Sequence, residues 1–287
     1  MMDAHHTAPG GRALVLGGGG ITGIAWEWGV ISGLAEAGVD LYEADLVVGT
    51  SAGSLVGAQV ASGIDPEARY QAQLASPDGE PFARVSRAVL ARWALAALTS
   101  RTPRQVGARI GRMALAARTV PEAERRAVIA SRLPVRDWPP RPLKITAVEA
   151  ATGAFTVFDR ASGASLVDAV GASCAVPGVW PPVTIGGRRY IDGGVRSAAN
   201  VDLAAGHRGV VVLAPTTAGF GPIAGVGRQV AALRRTGAGV ALITPDGRTR
   251  AAFGGNSLDP RFRAAAARAG RDQVPSIIEA VKAVWTA

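Results

Sequence analysis

The chain has 287 residues, of which 48% are hydrophobic and 18% are charged. This balance excludes an intrinsically disordered protein, because disorder requires low hydrophobicity and high net charge. The single cysteine, Cys174, excludes an internal disulfide and any metal site built from several cysteines.

The formal net charge of +9 comes from one segment. Residues 84–144 contain 14 basic and three acidic residues, whereas the rest of the chain is slightly acidic. One interpretation is a solvated helical face, and the other is a contact with an anionic surface such as lipid headgroups. The segment matches no common nucleic-acid-binding motif, so no nucleic-acid partner is expected.

The N-terminal residues 1–11 are polar and predict a disordered tail. No apolar stretch precedes the first predicted strand, which argues against a signal peptide. The longest stretch of low charge, residues 13–35, contains Glu27 and a run of glycines, so it does not predict a transmembrane helix. These features lead us to expect a cytoplasmic protein.

The first predicted elements alternate between strand and helix. Arg12–Leu16 is a short apolar run typical of a buried strand, and residues 23–38 follow as a helix. A second strand at 45–48 is followed by a helix at 52–62, which Gly63 would cap. Two such units predict a parallel sheet.

The following segment, about 66–135, has a helical pattern. It includes a basic amphipathic stretch around Val85, Val89 and Trp93 and an apparent capping box at 119–122. Strands are then predicted at 143–148, 154–158, 210–213 and 240–243, with helices at 166–174 and 276–286 and a hairpin at 183–191 that turns at Gly186 and Gly187. The whole pattern predicts an α/β protein with a helical insertion between its second and third strands.

The glycine-rich sequence at 18–23 formally matches a dinucleotide-binding loop. That use requires an acidic residue at the end of the second strand, where this chain instead has Gly49, Thr50 and Ser51. The nucleotide interpretation is therefore disfavoured. The same backbone N–H groups can stabilise a developing oxyanion in acyl transfer.

Ser51 lies in a G-x-S-x-G motif between a predicted strand and a predicted helix, the context that presents a serine nucleophile. Two side chains are candidates for its base. His207 is the only histidine downstream, but it precedes a strand and is expected in a surface loop at the end of the sheet opposite the usual ligand face. Asp192 follows a strand and is followed by Gly193 and Gly194, which suits an open turn.

These motifs in this order resemble the patatin-like phospholipase family. The family pattern is a glycine-rich loop of the form GGGx(R/K)G after a strand, a GxSxG turn and a downstream DG(G/A), which correspond here to residues 18–23, 49–53 and 192–194. Residues 172–182 are also similar to the segment that precedes the last motif. The resemblance implies a three-layer α/β/α fold with a mostly parallel central sheet, formed by residues 12–287 as one catalytic domain.

The resemblance also implies a lipid acyl hydrolase that needs no metal or other cofactor. Ser51 would be the nucleophile and Asp192 the base, whose pKa desolvation should raise. The N–H groups of Gly18, Gly19 and Gly20 would form the oxyanion hole. The remaining motif glycines are Gly23, Gly49, Gly53, Gly193 and Gly194.

One residue departs from the family pattern, because Thr22 stands where the family usually has Arg or Lys. Backbone donors need no side chain, so activity is still expected. The substrate would be a lipid or other acyl ester, with Trp180, Pro181 and Pro182 as candidate walls of an acyl channel. The basic segment 84–144 would make a peripheral contact with anionic membranes.

Two alternatives remain open from the sequence. The first is an α/β-hydrolase that uses a triad of Ser51, an aspartate and His207. The second is a non-catalytic lipid-binding protein of the same fold, for which Thr22 and the basic segment are the motivation.

Overall fold

The computed structural model describes residues 10–76 and 82–286. Most of the predicted N-terminal tail, residues 1–9, lies outside the described residues. Residues 77–81 lie inside the predicted helical insertion and are likewise outside them.

Strands and helices alternate along the described chain, as the sequence predicts. The strands are β1 (Arg12–Leu16), β2 (Leu46–Thr50), β3 (Leu143–Glu149), β4 (Phe155–Phe158), β5 (Val183–Ile185), β6 (Arg188–Asp192), β7 (Gly209–Leu213) and β8 (Gly239–Ile243). The helices are α1 (Gly20–Glu36), α2 (Ala52–Ala61), α3 (Pro66–Leu74), α4 (Arg87–Leu98), α5 (Pro103–Leu115), α6 (Glu122–Ser131), α7 (Leu166–Ser173), α8 (Val226–Arg235), α9 (Gly247–Ala252) and α10 (Arg263–Trp285). The insertion between β2 and β3 therefore consists of α3 to α6.

The eight strands of the described residues form one mixed sheet. Its order is β5-β6-β3-β2-β1-β7-β8, with β4 paired to β3. The central strands β3, β2, β1, β7 and β8 run parallel to their neighbours, while β4, β5 and β6 make the antiparallel pairs. Because the carboxyl ends of the central strands meet at one edge, the loops that follow β1 and β2 lie side by side.

Helices cover both faces of the sheet because its strands are buried on both sides. In β1, Leu14 and Leu16 join the apolar cluster formed with α1, α2, α7 and α10. The alternate residues Ala13 and Val15 join a second cluster with α8 on the opposite face. This alternation follows the two-residue repeat of a strand. The result is the three-layer α/β/α arrangement that the sequence predicts.

The insertion covers the part of the sheet around β3 and β6. Val106 and Ile110 of α5 pack with Val148 of β3 and Ile191 of β6 in a separate apolar cluster. The helical insertion is thus attached to the sheet mainly through α5. Among the described residues, no helix is both long and apolar enough to cross a bilayer.

Two local predictions are wrong. The expected capping box at 119–122 does not form: Pro121 is the N-cap of α6, and the Glu122 carboxylate instead accepts hydrogen bonds from the backbone and hydroxyl of Thr184. The last helix begins at Arg263 rather than near 276, because it continues through Pro275. The predicted hairpin is confirmed, and Gly186 and Gly187 both adopt positive φ at its turn.

Candidate active site

Ser51 occupies the sharp turn between β2 and α2. Its φ is 52° and its ψ is −120°, a conformation that few non-glycine residues adopt. The flanking glycines make the turn possible. A Cβ atom on Gly53 would lie 2.2 Å from the carbonyl oxygen of Leu16, and one on Gly49 would lie 2.5 Å from the Cα of Ser54. The motif therefore folds as a sharp, strained turn between a strand and a helix, which is the predicted local structure.

Strand β3 brings the end of β2 next to the end of β6. Thr50 pairs with Thr146, and Asp192 pairs with the next residue, Ala147. Ser51 follows Thr50, so its side chain meets that of Asp192. The Ser51 hydroxyl donates a hydrogen bond of 2.7 Å to Oδ2 of Asp192.

The carboxylate of Asp192 is almost fully buried, with 5% of the residue exposed. Loss of hydration raises its pKa from 3.8 to about 6, although hydrogen bonds from Ser51 and from the backbone N–H of Gly194 act in the opposite direction. The rise in pKa expected from desolvation is confirmed. A carboxylate with this pKa is a stronger base than an exposed aspartate and is still mostly ionised at neutral pH.

The glycine-rich loop lies beside Ser51, since all three predicted oxyanion glycines line the same groove as its side chain. The N–H of Gly18 already donates to the carbonyl oxygen of Ala198 at 2.8 Å. Because this N–H is already bonded, only the N–H groups of Gly19 and Gly20 remain of the three predicted oxyanion donors. Gly20 has a φ of 64°, and a Cβ there would lie 2.6 Å from the carbonyl oxygen of Ser257.

Thr22, the departure from the family pattern, is fully buried in the first turn of α1. Its backbone N–H donates to the carbonyl oxygen of Ser257 at 3.1 Å. The same Ser257 carbonyl is the atom that a side chain on Gly20 would meet. Thr22 therefore helps to connect the glycine-rich loop to Ser257 through its backbone alone.

A buried polar cluster around Asn200 supports both halves of the site and was missed in the sequence. The side-chain amide nitrogen of Asn200 lies 3.0 Å from the Thr50 hydroxyl, 3.2 Å from the Thr146 hydroxyl and 3.4 Å from the carbonyl oxygen of Gly193. It thus joins the residue before Ser51 to the residue after Asp192. Nothing in the local sequence marks Asn200, because its partners are distant along the chain.

Ser173 is a second residue that sequence reasoning missed. Its hydroxyl accepts a hydrogen bond of 2.9 Å from the backbone N–H of Ser51. This bond satisfies a buried donor at the strained turn. Cys174, the next residue, donates to the carbonyl oxygen of Ser51, and burial raises the pKa of its thiol to about 11. The cysteine is therefore a packed thiol rather than a thiolate.

His207 lies at the opposite end of the sheet from Ser51. It precedes β7 and lines a cavity together with Asp45 and Leu143, which stand at the starts of β2 and β3. The predicted position at a strand entry is confirmed, but the predicted surface location is wrong, because the residue is buried. Its ring nitrogen Nδ1 lies 3.1 Å from the carbonyl oxygen of Ala204. The described structure does not bring His207 to Ser51.

Ser51 stands where two cavities meet. The larger one is a mostly apolar groove that encloses about 890 Å³ of empty space, part of it open to solvent. Its apolar lining includes Val85, Trp93, Ile110, Val195 and Phe220. The smaller cavity also borders Ser51, includes about 440 Å³ of empty space that is partly open to solvent, and is lined in part by Trp180. Of the three candidate walls of an acyl channel, Trp180 lines the smaller cavity beside Ser51, whereas Pro181 and Pro182 line neither cavity.

The sequence also matches a known protein family. The model of the family described as patatin-like phospholipase matches residues 14–205. No curated protein matches the sequence.

Three solved structures are similar over most of the chain. The crystal structure of VipD from Legionella pneumophila has 14% identity and a TM-score of 0.48, over 95% of this chain and 67% of that one. The type III effector protein ExoU has 17% identity and a TM-score of 0.43, over 94% of this chain and 53% of that one. ExoU in complex with SpcU, from the type III secretion system of Pseudomonas aeruginosa, has 17% identity and a TM-score of 0.40, over 98% and 53% of the two chains. This chain thus spans about two thirds of VipD and about half of ExoU.

Proposed function

This chain belongs to the patatin-like phospholipase family, and we propose that it is a serine hydrolase that cleaves carboxylic ester bonds of lipids through a dyad of Ser51 and Asp192. The observation that carries the proposal is the hydrogen bond of 2.7 Å from the Ser51 hydroxyl to the Asp192 carboxylate. The serine stands at a strained strand-to-helix turn, and its partner is a buried carboxylate with a raised pKa. Both features favour nucleophilic catalysis.

The first half-reaction transfers the acyl group to the enzyme. Asp192 takes the proton of the Ser51 hydroxyl as Oγ attacks the ester carbonyl carbon. The carbonyl oxygen becomes an oxyanion, which the N–H groups of Gly19 and Gly20 stabilise. One such donor is typically worth about 3–4 kcal/mol in the transition state. The tetrahedral intermediate then collapses, the ester C–O bond breaks, and the leaving alcohol takes the proton from Asp192.

The second half-reaction restores the enzyme. Asp192 removes a proton from water, which attacks the acyl-enzyme carbonyl through a second tetrahedral intermediate. The bond to Ser51 breaks, the serine regains its proton from Asp192, and a carboxylic acid is released. The acyl chain occupies the apolar groove next to Ser51, which offers about 890 Å³ of space.

Elements that follow the matched residues 14–205 also pack against the part of the fold that carries the site. Helix α10 packs against α1, the helix that begins in the glycine-rich loop, and β8 extends the sheet beyond β7. We therefore propose that residues 12–287 act as one catalytic domain. The histidine triad is not favoured, because His207 lines a cavity at the other end of the parallel strands.

The test of the dyad is hydrolysis of a series of p-nitrophenyl acyl esters by the wild type, Ser51→Ala, Asp192→Asn and His207→Ala. We expect the first two substitutions to abolish turnover and His207→Ala to preserve it. Loss of activity in His207→Ala, with unchanged thermal unfolding, would instead support the triad. If the wild type is inactive and an organophosphonate does not label Ser51, the chain is a non-catalytic lipid-binding protein.

The helical insertion is also proposed to contact anionic membranes. Large apolar side chains that are exposed concentrate there: Phe82, Leu90, Leu95, Leu98, Leu115 and Val120. The same insertion exposes many arginines: Arg84, Arg87, Arg92, Arg101, Arg104, Arg109, Arg112 and Arg118. Exposed apolar groups among cations are typical of helices that lie in the headgroup region of an anionic bilayer. This surface would hold the enzyme on its lipid substrate.

A further inference from the structure

The smaller cavity beside Ser51 contains positive charge. Its lining combines apolar residues, such as Ile21 and Val176, with Ser51, Arg125, Arg132 and Trp180. Arg125 belongs to α6, the last helix of the insertion, so several segments far apart in sequence form this cavity. A group bound here would lie next to the nucleophile but outside the apolar groove.

The guanidinium group of Arg125 is buried in this cavity and lacks an acidic partner in the described part of the chain. Only 8% of the residue is exposed, and its guanidinium carbon lies 3.9 Å from the centroid of the Trp180 ring. Its terminal nitrogen Nη1 is buried and has no hydrogen-bond partner among the described residues. Burial lowers the pKa of Arg125 to about 10, so the side chain remains charged at neutral pH.

A buried cation without a hydrogen-bond acceptor is costly, and such groups are normally paired. No acidic side chain of the described residues forms an ion pair with Arg125. Two further positive groups face the same cavity, since Arg132 lines it and α2 begins there at Ala52. The arrangement therefore favours an anionic ligand.

We propose that this cavity is a subsite for the phosphate of the substrate, and that Arg125 determines a preference for esters whose alcohol part carries a phosphate. A guanidinium group suits this ligand because its planar fork can give two hydrogen bonds to phosphate oxygens. The proposal rests on the proposed esterase function. With the acyl chain in the apolar groove, the phosphate of the leaving alcohol would occupy the cationic cavity, and the scissile bond would lie between them at Ser51.

The test compares two esters that differ only in the phosphate: a monoacylglycerol and the acylglycerol phosphate of the same chain, in the same neutral-detergent micelles. The readout is the ratio of kcat/KM for the phosphate ester to that for the neutral ester. In Arg125→Met, whose unbranched stem can still pack on Trp180, we expect this ratio to fall about ten- to a hundred-fold, as for loss of a charged hydrogen bond.

Arg112→Gln is the matched control, because it removes one exposed positive charge from the same insertion and should leave the ratio unchanged. An equal fall of the kcat/KM ratio in both variants would indicate that the positive charge of the whole insertion attracts the phosphate ester. This result would overturn the proposed subsite. An unchanged ratio in a folded Arg125→Met protein would also overturn it. Arg125→Lys should restore only part of the preference, since it keeps the charge but not the fork.

A second measurement does not depend on turnover. Binding of glycerol phosphate and of inorganic phosphate to Ser51→Ala is measured by calorimetry, with and without Arg125→Met. We expect glycerol phosphate to bind and the added Arg125→Met substitution to weaken it at least about ten-fold. Inorganic phosphate that binds as tightly as glycerol phosphate would overturn the assignment to a substrate headgroup. If the wild type cleaves neither ester, the proposed esterase function fails, whereas this binding measurement still decides the subsite.

Discussion

The hydroxyl of Ser51 donates a hydrogen bond of 2.7 Å to the carboxylate of Asp192, across a separation of 141 residues. Strand β3 makes this possible, because it pairs with β2 through Thr146 and with Asp192 through the next residue, Ala147. The side chains of Ser51 and Asp192 are thus positioned by adjacent residues of a single strand. A small shift of register on either side of β3 would separate them.

The activity should depend on the ionisation of Asp192. A base must be deprotonated to accept the serine proton, and burial raises the pKa of Asp192 to about 6. We therefore expect kcat/KM to fall about ten-fold for each pH unit well below 6 and to level off above it. The pH profile of p-nitrophenyl ester hydrolysis provides the measurement. An inflection that disappears in His207→Ala would assign the titration to the histidine instead.

Replacing Asp192 with Asn should lower activity and raise stability. We expect turnover to fall at least about 10⁴-fold, which is the loss seen when a serine hydrolase with a Ser-His-Asp triad has its aspartate replaced by asparagine. Because the folded pKa of Asp192 is raised, its ionisation destabilises the fold, an effect that begins above pH 3.8 and is complete above about 6.

A rise of this size corresponds to about 3 kcal/mol of free energy of unfolding at pH 8. Urea unfolding of the wild type and Asp192→Asn at pH 4 and pH 8 measures the difference. The gain in stability should be present at pH 8 and mostly absent at pH 4. An equal gain at both values would show that the carboxylate charge is not its cause.

Asn200 should act as a positioning residue for the dyad. Its side chain links Thr50 and Gly193, the residues next to Ser51 and Asp192. Asn200 has a φ of 49°, which glycine adopts without strain, so Asn200→Gly removes the side chain alone.

We expect this variant to lose about 1–3 kcal/mol of stability because buried hydroxyl and carbonyl groups lose a donor. Its kcat should decrease more than its KM increases, since the substrate cavities keep their lining. Steady-state kinetics and thermal unfolding measure both effects. A stable variant with wild-type kcat would show that Asn200 does not position the dyad.

The glycine-rich loop should tolerate no side chain at Gly20. A Cβ atom would lie 2.6 Å from the Ser257 carbonyl oxygen, and the residue has a positive φ. Gly20→Ala should therefore displace a proposed oxyanion donor and lower kcat about 10²- to 10³-fold. Gly227→Ala is a suitable control, because nothing lies within 4 Å of a Cβ there. Equal activities of the two variants would argue against Gly20 as a donor.

Membrane contact should depend on both apolar and basic groups of the insertion. Leu98 is 82% exposed on α4. Burial of a leucine side chain in the headgroup region is worth about 1.5–3 kcal/mol, so Leu98→Ser should weaken binding to anionic liposomes at least about ten-fold. Raising the salt concentration should weaken it further, because salt screens the arginines.

Liposome co-sedimentation measures both effects. Val135→Ser is the matched control, since this exposed apolar residue lies after α6 rather than on a helix. If salt and Leu98→Ser leave binding to anionic liposomes unaltered, the insertion does not contact the membrane.

Local features of the site could be predicted from the sequence because they depend on neighbouring residues. The short apolar runs form buried strands, the glycines around Ser51 allow its turn, and the Gly186-Gly187 pair forms a hairpin. The scarcity of histidine favours an aspartate as the base. The order of the three motifs along the chain is enough to indicate the family.

The tertiary structure decided which distant groups meet. Only the packed structure shows that the Gly18 N–H donates to the carbonyl oxygen of Ala198 and that Asn200 connects the segments that carry Ser51 and Asp192. It also shows that Arg125 lines the cavity beside Ser51. These contacts depend on strand register and on the way the insertion packs over the sheet. Strand register and the packing of the insertion depend on free energies summed over the whole core. They therefore cannot be predicted from a short stretch of sequence.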